Sequence, residues 1–323
     1  MVANPLRGTP VVDTHAHLYP ATYLDRLVAI GADPDAVEVA RNLRASDEPE
    51  ELEARLRQMD AAGVGVQILS VVPQVPMVDD PGTAARAAKM VNDRYAAVLS
   101  DHPDRFRAYG CLPVPHVEAA IAQTRYCLDE LGFLGVALPT VVRGDMTLAN
   151  ETLEPLWAAL DARAARVYLH ATGGGANCPL INDHQLQWVN GAPLEDALAV
   201  LHLLKADVPA RFPGIRFHVA HLGGDLPFLA QRIEDNYEDW RTFERSPRAA
   251  LRNMWFDSAN FHGPSLRLAM ETVDPGKVML GSDYPYFQDD KYTRAVGYVR
   301  DSGLSETLVE AVLSTNAMRF YAS

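Results

Sequence analysis

With 323 residues, 48% of them hydrophobic and only 8% aromatic, the chain can bury a large core and has the aliphatic balance of a helix-rich α/β protein. A formal charge of −13 argues against nucleic acid or an anionic membrane surface as partner, so an anionic ligand must be drawn in locally, by a metal or a few arginines. No stretch nears the ~20 apolar residues of a spanning helix. The first residues carry no apolar leader, and the widely spaced Cys111, Cys127 and Cys178 suit a reducing compartment, so a cytoplasmic protein is expected.

In chain order, eight apolar, strand-like runs alternate with longer amphipathic stretches. The predicted strands are Pro10–His15, Val64–Val71, Phe106–Leu112, Leu134–Leu138, Val167–His170, Ile215–His221, Met254–Ser258 and Lys277–Ser282. Helices are predicted over Glu50–Ala62, Gly82–Asp101, Glu118–Leu131, Leu153–Ala165 and Pro193–Arg211, among others. This order predicts parallel strands with right-handed crossovers, and eight units favour a closed (β/α)8 barrel over an open sheet. Residues 1–323 read as one domain, without a repeat or linker. Two long insertions, Leu18–Gly63 and Ala171–Gly214, follow the first and fifth strands, where a barrel builds its active site. They are predicted to form substrate walls or lids.

The chemistry-bearing residues gather at strand ends. His15 and His17 close the first strand two residues apart, so in extended geometry both point to one side. His170 ends the fifth strand, His221 the sixth and Asp283 the eighth. The C-terminal ends of barrel strands converge on one face, which brings four imidazoles and a carboxylate together. Such donors suit zinc, or else manganese, iron or cobalt. The remaining histidines are expected outside the site. His102, His116, His202 and His218 fall at helix ends or on the far face of a strand, and His184 and His262 in loops.

Several motifs carry a resemblance beyond this pattern. The DTHAH around His15, HLGG from His221, GSDYP around Asp283 and the late Asn316-Ala-Met-Arg-Phe320 resemble the amidohydrolase superfamily. Within it the chain is similar to the amidohydrolase 2 branch of aminocarboxymuconate-semialdehyde decarboxylases and hydroxybenzoate decarboxylases. The likeness runs over nearly the whole chain, through Met59-Asp60, Gly132-Phe-Leu-Gly135 and Asp225-Leu-Pro227. It implies a distorted TIM barrel. It also implies a single metal, because the fourth strand, Gly135–Pro139, lacks the lysine that bridges two metals in binuclear members.

By this resemblance His15, His17, His170 and Asp283 are the metal ligands and His221 is the proton carrier, with Asp283 able to shuttle a proton. Asp13 is expected to orient the first-strand turn. Arg232 resembles the arginine that reaches across a dimer interface to clamp a substrate carboxylate, and Trp188 the loop tryptophan that packs on the substrate. Arg41 or Arg44 could supply a second carboxylate contact, and Tyr284 and Phe287 could line the pocket. The implied activity is non-oxidative decarboxylation of a small aromatic or muconate-like carboxylic acid by a homodimer. The same hydroxide-generating site also fits hydrolysis of a lactone or amide, and a barrel that has lost catalysis is the third alternative.

Overall fold

Eight of the apolar runs become strands, and each lies within a few residues of its predicted bounds. The computed structural model describes residues 11–143 and 146–322, so Pro10 of the first predicted strand lies outside the described residues. The strands are β1 Val12–His17, β2 Val66–Ser70, β3 Phe106–Cys111, β4 Gly135–Pro139, β5 Arg166–His170, β6 Arg216–Val219, β7 Trp255–Asp257 and β8 Val278–Met279. They form one sheet in sequence order, every pairing parallel. The sheet closes on itself beyond β8. Thr14 N–H donates to Leu280 O (2.9 Å), Asp283 N–H to His15 O (2.9 Å) and His17 N–H to Tyr284 O (2.6 Å). The expected barrel is therefore present.

The strands read as apolar runs because both of their faces are covered. Inside and around the barrel, Ile68, Leu69, Val136, Leu138, Val167, Leu169, Val219 and Met279 are fully buried. Helices dock outside, and their starts follow capping rules. Pro81 opens the helix Pro81–Asp101, while the Asp80 carboxylate accepts from Thr83 N–H at 2.6 Å. Helix Pro49–Ala62 stops at Gly63, whose φ of 71° supplies the left-handed residue a helix end requires.

The two insertions have distinct builds. After β1 the chain forms helices Ala21–Ala29, Pro34–Asn42 and Pro49–Ala62 before β2. After β5, a glycine-rich loop leads through short turns and a π-helical turn, Gln187–Gly191, into the helix Ala192–Lys205. The stretch Pro193–Arg211 is not one helix, since Asp207, in the left-handed region, separates it from a short second piece, Val208–Arg211.

One expectation fails here for a geometric reason. His218 and His221 are three apart, which in a continuous strand puts them on opposite faces, yet both lie inside the barrel. Strand β6 ends at Val219, and His221 (φ 53°) and Leu222 (φ 57°) turn left-handed. His218 is fully buried between Tyr109 Oη (3.0 Å) and Asp257 Oδ2 (3.1 Å). The HLGG glycines make the turn feasible. A Cβ on Gly224 would lie 1.9 Å from the Pro193 carbonyl oxygen, and Gly224 has φ 65°. Replacing Gly224 by Ala is expected to cost roughly 2–4 kcal/mol by strain and overlap. Gly297→Ala, in helix Asp290–Arg300 with open space at its Cβ, should instead stabilise by about 0.5–1 kcal/mol. Chemical denaturation of the two variants checks the contrast.

Candidate metal centre and active site

The barrel mouth gathers the residues that the strand ends supply. His15 and His17 leave the end of β1 with their Nε2 atoms 3.2 Å apart. Asp283 Oδ1 lies 3.3 Å from His15 Nε2 and 3.2 Å from His17 Nε2. His170, from β5, stands with its ring centroid 4.7 Å from that of His17 and 4.9 Å from that of His15. His221 Nε2 is 3.6 Å from Asp283 Oδ2. Ligand atoms of His15, His170, His221 and Asp283 all lie within 4.8 Å of one another. Asp283, like His221, has a left-handed backbone (φ 55°), so two non-glycine residues of this cluster hold conformations that cost energy.

Hydrogen bonds behind the cluster set the tautomers. His15 Nδ1–H donates to Asp257 Oδ2 at 3.0 Å, which turns Nε2 toward the cluster. His170 Nδ1–H donates to the Ala171 carbonyl at 2.7 Å, which frees its Nε2. That Nε2 is buried and has no hydrogen-bond partner. Imidazole lone pairs aimed at one another and at an ionised carboxylate, one of them buried and unpaired, are a donor set that a cation completes. The residues therefore fit a single divalent metal ion.

Charge points the same way. Burial drives His17 down to about 4. Burial, with His17, His15 and His221 alongside, holds His170 well below the usual histidine range. Burial alone would raise Asp283, but His15, His17 and His221 outweigh it and keep the carboxylate ionised. His15 is the exception: burial opposes its charge, yet Asp257 and Asp283 lift it to about 9, so a bound cation would take the place of its Nε2 proton.

His221 stands in the same cluster but has a carboxylate partner of its own. Its Nδ1 lies 2.7 Å from Asp196 Oδ2, on helix Ala192–Lys205, and its Nε2 faces Asp283 and the cavity. Burial disfavours its charge, but Asp196 and then Asp283 overcome that and raise its pKa well above the ordinary value.

Above the cluster lies a cavity of about 480 Å³, floored by His170, His221 and Asp283 and walled by Val39, Trp188, Val189, Phe261, Tyr286 and Phe287. Val39 comes from the first insertion and Trp188 and Val189 from the second, so both insertions line this cavity. Trp188 is 51% exposed and stacks obliquely on Tyr286, with centroids 5.7 Å apart, so it is a cavity wall and not a core aromatic. Phe287 lines the cavity. Tyr284 does not; it is buried beneath the Arg55 guanidinium, 4.3 Å from its ring centroid.

The predicted carboxylate-binding arginines lie elsewhere in this chain. Arg232 is exposed on helix Leu226–Trp240, outside the cavity. Arg41 pairs with Asp25 and Glu38, and Arg44 with Glu51. His184 and His262 are exposed and absent from the cluster, as expected. Asp13 bonds to Ser282, Gln67 and Tyr292 and ties β1 to the β8 turn.

The sequence reading missed Asp257, Asp196 and Glu195. Asp257 binds His15, His218 and the backbone N–H of His221 at once (3.0, 3.1 and 3.1 Å). Its place at the end of β7, in Trp255-Phe-Asp257, carried the same strand-end signal as the ligands. Asp196 and Glu195 sit on a helix, where no spacing rule points to them.

An imidazole–carboxylate cluster at the C-terminal mouth of a parallel barrel defines a metal-dependent barrel enzyme. The chain belongs to the amidohydrolase family, whose amidohydrolase 2 model matches residues 12–322. It is 28% identical to a 2-amino-3-carboxymuconate-6-semialdehyde decarboxylase of Dictyostelium discoideum over 277 residues, 83% of this chain and 76% of that one. It is also 28% identical to a 6-methylsalicylic acid decarboxylase of Penicillium expansum over 318 residues, 96% of this chain and 95% of the other. Its fold matches a dihydroxybenzoic acid decarboxylase from Polaromonas with bound manganese and the inhibitor 2-nitroresorcinol. That match has a TM-score of 0.82, 21% identity and 96% coverage of each chain. No helix among the described residues is long and apolar enough to cross a membrane.

Asp257→Asn weakens the acceptor that fixes His15 and is expected to lower metal affinity about 10–100-fold. Competition with a calibrated chelator checks this, with far-UV circular dichroism to confirm the fold.

Proposed function

We propose that the chain is a metal-dependent, non-oxidative decarboxylase of a small aromatic or muconate-like carboxylic acid, a carbon–carbon lyase. The observation that carries this reading is the cavity itself, where a metal-ligating floor meets aromatic walls with His221, backed by Asp196, between them. The decarboxylase relatives support it. The family match across residues 12–322 supports one working domain over 1–323.

His15, His17, His170 and Asp283 would hold the ion, and zinc is the metal that three imidazoles and one carboxylate favour, with manganese or iron taking the same donors. When bound, the ion supplies Lewis-acid stabilisation of negative charge on substrate oxygens. The aromatic walls bind the ring and exclude water. As CO2 leaves, the electron pair of the broken C–C bond stays on the ring carbon, and His221 Nε2–H delivers the proton that this carbon takes up. Asp196 holds the imidazolium in place, and the ionised Asp283, 3.6 Å from His221 Nε2, lies in line to pass back to it a proton taken from water.

A homodimer gives Arg232 its part. Its guanidinium has no ion-pair partner among the described residues, and Phe228, one turn earlier on the same helix face, is 79% exposed. Both features support a subunit boundary from which Arg232 reaches a substrate carboxylate in the second copy. The partners are then a carboxylate substrate and a second chain, in a cytoplasmic setting that the unpaired cysteines favour.

Three measurements test this reading. Metal-loaded protein given hydroxylated benzoates under argon should release CO2; turnover of lactones or amides without CO2 would favour the hydrolase alternative. His221→Ala should lose turnover by at least about 100-fold and keep its metal, whereas His170→Ala should lose the metal. Equal metal loss in both would make His221 a ligand. Arg232→Ala should raise KM by about tenfold or more and leave kcat near that of the unaltered chain.

A further inference from the structure

Helix Ala192–Lys205 begins against the barrel mouth, and two successive buried carboxylates in its first turns reach in different directions. Asp196 Oδ2 meets His221 Nδ1 at 2.7 Å. Glu195 Oε2 accepts from Thr140 Oγ1 (2.8 Å) at the end of β4, and from both Thr172 N–H (2.7 Å) and Thr172 Oγ1 (2.8 Å) after β5. Glu195 Oε1 takes a longer bond from Ala176 N–H at 3.4 Å. No cation is among these partners. A buried carboxylate with only neutral donors has been used to fasten backbone, and what it fastens is the loop Thr172–Ala176.

That loop sets Trp188. A Cβ on Gly173 (φ 77°) would lie 2.3 Å from the indole ring, so Trp188 rests directly on the Gly173 backbone. Half exposed, the indole lies outside the buried core and rests against Gly173 and Tyr286. Gly174 carries the loop onward, with its carbonyl accepting from Asn182 Nδ2 at 3.0 Å, toward the turn that bears Trp188. Helix Ala192–Lys205 is in turn fixed against the His221 turn, because Gly224 abuts the Pro193 carbonyl with no room for a side chain.

We propose that Glu195 and Asp196 are positioning residues with separate tasks: Glu195 places the Trp188 wall and so sets substrate fit, and Asp196 places the His221 imidazole and so sets the proton-transfer rate. This rests on the reading that the cavity and His221 serve turnover. The division of tasks holds for whichever substrate the unaltered enzyme consumes, so it is scored on that substrate and separately from the CO2 assay.

The test is steady-state kinetics on the metal-loaded enzyme, joined to the emission of Trp188 isolated by subtracting the Trp188→Phe spectrum. Glu195→Gln removes the charge and sets amide hydrogens against either the Thr172 donors or the Ala176 N–H; it should raise KM about tenfold, leave kcat within about threefold and shift Trp188 emission. Asp196→Ala should lower kcat about 100-fold or more, leave KM within about threefold and leave Trp188 emission unchanged. Thr172→Val removes a single donor and should repeat the Glu195→Gln pattern in weaker form, and Asp196→Glu should recover part of the lost kcat. These two milder variants decide the matter if a harsher one fails to fold. The proposal is overturned if the Glu195 and Thr172 variants lower kcat at constant KM, or leave Trp188 emission unmoved. It is equally overturned if the Asp196 variants change KM and kcat together.

Discussion

Imidazole lone pairs and a carboxylate oxygen converge at the mouth of this barrel, and no arrangement of protons satisfies all of them. His15 and His17 present Nε2 atoms to each other at 3.2 Å, while the His170 Nε2 is buried without a partner. In a folded interior such groups are expensive unless a cation joins them. Much of the surrounding structure keeps this set in place. Asp257 and the Ala171 carbonyl hold the outer nitrogens of His15 and His170, and left-handed backbone at His221 and Asp283 turns two side chains inward. Glycines at 224 and 281 clear space for the Pro193 carbonyl and the Asp257 carboxylate, which would meet any Cβ there.

Asp257 links the layers of the site. Its carboxylate is held well below the ordinary range: burial would raise it, but His15 and His218 prevail. As an anion it accepts from His15, from the His221 backbone and from His218, which in turn bonds Tyr109 in the barrel interior. The imidazole cluster, the His221 backbone and the barrel core thus share one charge. The helix Ala192–Lys205 adds a second set of constraints from outside the strands, through Asp196 to His221 and through Glu195 to the loop under Trp188.

Much of this was legible in the sequence because it follows periodicity and strand ends. The HxH pair faces one way because β1 is extended, and Asp283 falls at the mouth because β8 points there. The barrel follows from eight apolar runs whose two faces are both buried. What was not legible depends on departures from regular geometry or on tertiary neighbours. His218 was placed on the wrong face because strand parity was carried past Val219, where the chain turns left-handed. Tyr284, named with Phe287 as a possible pocket wall, lies under Arg55, while Tyr286 two residues on faces the cavity. Asp196 and Glu195 stand on a helix remote in sequence from the residues they hold, where spacing carries no signal. Arg232, expected to reach across a dimer interface, lies outside the cavity of its own chain, and nothing within one chain tests that expectation.

The central claim is that His221 delivers a proton to carbon as CO2 leaves, on a floor built to hold one metal ion. Turnover in heavy water enriched in oxygen-18, followed by mass spectrometry of the organic product, tests it most directly. The account predicts one deuterium on the carbon that carried the carboxylate, no oxygen-18 in the organic product, and loss of both product and label in His221→Ala with its metal content intact. Oxygen-18 in the organic product, with its carboxylate retained, would contradict it.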